Sequence, residues 1–120
     1  MMWLNIAKNF LAAYAAKDID ALEKLISKDS TIQSLYGGST VSSGSHFLEK
    51  FKDFSEKFEK IEISLKKTAY NNKTVFIEYE IIHHRKLADD LAHLGARRFD
   101  SGVFLFEIDM NKIQSLSNFK

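Results

Sequence analysis

The feature that most constrains this chain is a change of hydrophobic period near residue 60. Before it, Phe47, Phe51, Phe54 and Phe58 recur every three or four residues, with Leu48 beside them. Glu49, Lys50, Lys52, Asp53, Glu56 and Lys57 lie between, so the segment has one apolar and one charged helical face. After it, Ile61, Ile63 and Leu65 alternate with Glu62, Ser64 and Lys66. Past a turn at Asn71-Asn72-Lys73, the row Val75, Ile77, Tyr79, Ile81, His83 alternates with Phe76, Glu78, Glu80, Ile82, His84. A period of two puts successive side chains on opposite faces of a strand. Helices first and strands after predict an α+β domain with helices laid on one sheet.

The remaining elements follow from the same signals. Trp3, Ile6, Phe10 and Tyr14, with Ala7 and Ala13, predict a helix over 3–16 that Leu4 and Leu11 widen. Asp18 is an N-cap for a second helix over 19–27, after a corner at Lys17-Asp18. A short strand is expected at 31–35, a turn at Gly37-Gly38 and a brief strand at 39–41. Ser43 or Ser45 caps the third helix, over 45–58. Residues 86–98 form a longer connection with Leu87, Leu91 and Leu94, a short helix or lid. A strand at 99–108, apolar on both faces, a turn at 109–112 and a last strand at 113–119 complete one domain over residues 1–120.

Several function classes are excluded. The net charge is +1, and the basic pairs Lys66-Lys67, Arg85-Lys86 and Arg97-Arg98 are too short for a phosphate-binding track, so no nucleic acid is expected. There is no cysteine, hence no disulfide, thiolate metal site or Cys nucleophile, a composition that fits the cytoplasm. Ala13-Tyr14-Ala15 looks like a signal-peptidase site, but no basic segment precedes it, and Asn5, Lys8 and Asn9 interrupt the apolar run. No run reaches the length of a membrane span. His83 and His84 point to opposite faces, and His46 and His93 add no i, i+4 pair, so no metal is expected. No Gly-x-Ser-x-Gly elbow, phosphate loop or dinucleotide fingerprint occurs, and no cofactor is expected.

The stretch from Phe10 to Leu22, an aromatic helix ending at Lys17-Asp18-Ile19-Asp20, resembles the first-helix signature of the nuclear transport factor 2-like superfamily, with Lys17 where Gly is usual. Ser30-Thr31-Ile32 resembles its first strand, and Gly44 before the Phe-rich helix resembles its Gly-led third helix. Phe104-Leu105-Phe106 through Lys112-Ile113 resembles its closing hairpin, with Asn111 in place of the turn Gly. This SnoaL-like, ketosteroid-isomerase-like resemblance implies a cone. A curved antiparallel sheet of four to six strands is wrapped by three N-terminal helices around an apolar pocket, and a homodimer forms through the outer sheet face. The superfamily includes isomerases, cyclases, dehydratases, epoxide hydrolases and non-catalytic association domains, so the fold alone assigns no reaction. The three catalytic positions of ketosteroid isomerase fall here on Phe10, Ser34, and Gly102 or Phe104. None can donate or accept a proton as that mechanism needs.

Another acid–base pair is available. His83 shares a strand face with Tyr79 and Ile81, and Asp100 shares one with Gly102. These two are the candidate catalytic residues, with Tyr14, Ser34 and Tyr36 positioning a polar group. Trp3, Phe10, Phe54, Tyr79 and Phe104 are the candidate lining for a small apolar or aromatic molecule. Each also has a structural reading: His83 as a core or rim histidine, Asp100 as the ion-pair partner of Arg97 or Arg98, the Phe row as core. Two functions are expected to compete: a small-ligand protein with lyase- or isomerase-type chemistry, and a non-catalytic dimerising module whose cone is filled by side chains.

Overall fold

A computed structural model describes residues 2–33, 41–85 and 97–119. The elements run α1 (Met2–Ala16), α2 (Ile19–Leu25), β1 (Ile26–Gln33), β2 (Val41–Ser43), α3 (Gly44–Ser55), β3 (Phe58–Asn71), β4 (Thr74–Arg85), β5 (Arg97–Asp109) and β6 (Lys112–Phe119). The six strands form one sheet in the order β2-β1-β6-β5-β4-β3. Every ladder is antiparallel except β1·β6, which is parallel. The parallel pair arises because β1 reaches the sheet from the helical half of the chain and β6 from the meander.

Local chemistry sets the joints. Asp18 caps α2 by accepting from the Ala21 N–H at 3.1 Å, and Ser43 caps α3 by accepting from the His46 N–H at 3.2 Å. Lys17, at the corner, adopts φ 57°, which explains the glycine that the family pattern prefers there. Met110 and Asn111 both have positive φ, as the type I′ turn of a two-residue hairpin requires. Both α2 and α3 end earlier than the 19–27 and 45–58 their apolar spacing suggests. Ile26 and Phe58 are instead the first residues of strands, each buried against the sheet.

The alternation of β4 is realised as read. Val75, Ile77, Tyr79, Ile81 and His83 are buried, while Phe76, Glu78 and Glu80 are exposed. β5 continues the inner face with Phe104, Phe106 and Ile108, and β6 with Ile113 and Leu116. α1 and α3 cover this face. Phe10 meets Phe47 and Phe106 at 6.0 and 5.8 Å between ring centroids, and Phe47 stacks on Phe51 at 5.7 Å. These rings fill the centre of the molecule, each large side chain removed from water contributing roughly 1.5–3 kcal/mol. The 31–35 strand begins earlier, at Ile26, and the brief 39–41 strand is seen from Val41; residues 34–40 and 86–96 lie outside the described residues, and Arg97 and Arg98, expected at the end of the 86–98 connection, are the first residues of β5.

Candidate functional site

His83 ends the inner row of β4 and is 4% exposed. The last turn of α1 brings Tyr14 to it, with the phenol oxygen 3.2 Å from His83 Nε2. Because β4 and β5 are antiparallel, Arg98 stands opposite His83 and Asp100 opposite Ile81. Asp100 Oδ2 lies 3.6 Å from His83 Nδ1 and 3.0 Å from Arg98 Nε. A chain of titratable groups therefore runs Tyr14, His83, Asp100, Arg98, from the interior towards water. The Asp100 side chain is 16% exposed and that of Arg98 45%.

Aromatic rings surround the histidine. Phe58, Phe54 and Tyr14 lie 4.8, 5.6 and 6.2 Å from it between centroids, and Tyr14 rests on Phe51 at 4.8 Å. The Lys17 ammonium donates to the Phe58 carbonyl at 2.6 Å, tying the helix corner to the start of β3. In such an apolar setting each charge interaction is stronger than in water.

A second polar pair lies further along the same face. The Tyr79 hydroxyl donates to Asn118 Oδ1 at 2.5 Å, and the Tyr79 ring stacks on Phe104 with centroids 4.1 Å apart and planes 15° from parallel. Burial pushes the Tyr79 phenol above its ordinary value; the Asn118 hydrogen bond opposes that shift and the Asp100 charge adds to it. Tyr79 is therefore a fixed hydrogen-bond donor at neutral pH.

The structure brings His83, Asp100, Tyr14 and Phe54 together as one cluster and sets Tyr79 and Phe104 beside it. Phe10 belongs to the Phe47–Phe106 packing, and Trp3 lies eleven residues before Tyr14 on α1, about 16 Å along the helix. Ser34 and Tyr36 fall outside the described residues. Asp100 does form the ion pair with Arg98 that its neighbourhood in sequence suggested, and the same oxygen faces His83. His84 turns to the other face, where its Nε2 lies 3.1 Å from Glu62 Oε2. Three participants escaped the sequence reading. Phe58 has the spacing of a helix end, Lys17 that of a corner residue, and Asn118 becomes visible once its pairing with Phe104 is known. Among the described residues, no cluster of three or more His, Asp or Glu is placed to hold a metal.

The profile of the SnoaL-like domain family matches residues 7–116. No curated protein matches the chain in sequence. Solved structures match its fold. An LEH-like epoxide hydrolase of M. tuberculosis superposes with a TM-score of 0.80 at 13% identity, over 99% of this chain and 83% of that one. IdmH of Streptomyces antibioticus, a candidate polyketide cyclase, superposes at 0.79 with 11% identity, over 99% and 91%. A protein of ketosteroid-isomerase-like fold from Catenulispora acidiphila, in complex with trimethylamine, superposes at 0.75 with 16% identity, over 96% and 84%.

Proposed function

This chain belongs to the SnoaL-like domain family, and from that premise we propose that it holds a small apolar or aromatic molecule against its inner face, with His83 and Asp100 as its acid–base pair. The observation that carries this reading is the row Tyr14–His83–Asp100–Arg98, buried at Tyr14 and His83 and reaching water at Arg98, set among Phe51, Phe54 and Phe58. A core needs no such row. Burying a histidine is unfavourable unless its polar atoms find partners. Neighbours named for an epoxide and for polyketides support a small organic ligand. The half-buried ring of Phe54 offers apolar contact, and Tyr14 positions a polar substituent. Ketosteroid isomerase chemistry is not proposed, since Phe10, Ser34, and Gly102 or Phe104 replace its three groups. The absence of cysteine supports a cytoplasmic address.

Titration of the protein with naphthalene derivatives, followed by amide chemical shifts, tests this reading. Shifts are expected to concentrate at Tyr14, Phe54, His83 and Asp100. His83→Ala should weaken binding about tenfold, the worth of one buried hydrogen bond. Unchanged affinity in that variant removes His83 from the site.

A second reading has its own support. The outer sheet face exposes Phe76, Phe99 and Phe119, and a trough of about 320 Å³ at Phe99 is lined also by Glu80, Ile81, Ile82, Asp100 and Ser101. This is the surface through which a dimerising module would associate, with the inner rings serving as core alone.

A further inference from the structure

We propose that the open edge of β3, with the groove between that strand and α1, is a docking site for an extended segment of another protein, apolar at alternate residues and acidic at its end. The site is independent of any ligand on the inner face. β3 is the last strand of the sheet, and among the described residues it pairs with β4 alone. In an antiparallel ladder successive residues direct their N–H and C=O groups to opposite sides, so half of those of β3 point away from β4. Such a row is a template for one more strand.

The inner face of β3 is covered at one end only. Along it Ile61 is 5% exposed, Ile63 is half-buried and Leu65 is 37% exposed. α1 is tied over the start of this row, where Lys17 donates to the Phe58 carbonyl. It turns Lys8, Leu11, Ala12 and Ala15, one helical stripe, towards Ile63 and Leu65. Ala12 and Ala15 are short, so helix and strand leave a groove of about 170 Å³ between them. Pockets for small organic ligands run from about 300 to about 1,000 Å³. This groove is too small for such a ligand and takes the side chains of a macromolecule instead. An added strand supplies them in place, because its alternate residues lie on the inner face beside those of β3.

Charge selects the partner. Lys8 lines the groove together with Leu65, and Lys66 and Lys67 follow Leu65 directly. These two lysines stand at an irregularity between Leu65 and Thr68, which ends the regular part of the edge. Lys66 pairs with Glu80 at 3.5 Å, so Lys8 and Lys67 are the cations that meet an incoming chain here. Glu62 does not offset them, since Lys60 and His84 hold it at 2.9 and 3.1 Å on the outer face. An acidic residue at the end of the added strand is therefore attracted, and a basic one repelled. A second copy of this chain fits less well. Its own β3 carries Lys60, Lys66 and Lys67 against Glu59 and Glu62, a net basic strand.

Peptide binding to the intact chain tests this. The probes are two fluorescent octapeptides with alternating valine and threonine in the middle, one with glutamate at both ends and the other with lysine. Anisotropy at low salt should show the glutamate peptide binding about tenfold tighter, and Lys8→Glu combined with Lys67→Glu should reverse the preference. Ala12→Arg suits a helix and adds positive charge while filling the groove, so a loss of about tenfold for the glutamate peptide in this variant reports the groove and not the charge. Hydrogen exchange in the complex should slow at alternate amides over residues 59–65. Equal binding of the two peptides, binding of neither, or protection confined to other strands overturns the proposal. So does a dimer of the chain alone, seen by sedimentation velocity, that Ala12→Arg dissociates, since the edge would then belong to a second copy.

Discussion

At Gly44 the first turn of α3 comes down on β1, and a Cβ there would overlap the Ser27 carbonyl oxygen. Ser30 next to it donates to the Ile113 carbonyl at 2.5 Å and accepts from the Ser27 N–H at 3.0 Å, so the backbone has little room to yield. Gly44→Ala is expected to destabilise the fold by about 1–3 kcal/mol, the usual range for overpacking, read as a lower urea midpoint with an unchanged slope. Tyr79 gives a pH prediction. Its phenol is raised in the folded chain, so above about pH 10 the unfolded state ionises while the folded state resists. Stability present below the ordinary phenol range is therefore lost as pH rises through it, and Tyr79→Phe should flatten that loss in alkaline denaturation curves. Residue chemistry of this kind was partly legible in the sequence. Asp18 announces its role because few residue types can cap a helix, whereas Gly44 is marked only by its likeness to the family's Gly-led third helix. Phe58 does not, because an apolar ring at that spacing suits the end of a helix and the start of a strand equally well.

β3 is an edge strand fourteen residues long, and its second half is exposed. Such an edge invites pairing with another chain. Its register slips between Leu65 and Thr68, where Lys66 and Lys67 stand opposite Glu78 alone, and Lys66 reaches Glu80 at 3.5 Å. A bulge carrying two lysines twists and charges the edge, both known defences against edge-to-edge association. Replacing Lys66 and Lys67 together by Val should produce concentration-dependent association in sedimentation velocity; a variant that behaves as the parent does would show that the bulge alone suffices. In the sequence this pair reads as solvated charge. Its place at an irregularity on an outermost strand depends on strand order, which local periodicity does not encode.

Across the whole molecule, one sheet face is covered by helices and the other carries Phe76, Phe99 and Phe119 in water. Phe99 is 66% exposed, beside Ile82 and next to the trough at Ser101. A homodimer through this face would cover these rings, and Phe99→Glu should then shift light-scattering mass from two chains to one while leaving the far-UV spectrum intact. A parent chain that is monomeric at micromolar concentration would count against the dimer. No helix among the described residues is long and apolar enough to cross a membrane.

The amino-acid order by itself determined the helix-then-strand layout, the inward face of β4 with His83 at its end, and the loss of the three ketosteroid isomerase groups. These follow from period, capping and residue identity, which are local properties. Tertiary structure alone decided that β1 runs parallel to β6, that Arg98 falls opposite His83, and that Tyr14 reaches the ring nitrogen which Asp100 does not face. Contacts 15 to 87 residues apart arise from strand register and helix docking, where burial of many apolar side chains at once selects one arrangement that no single segment specifies.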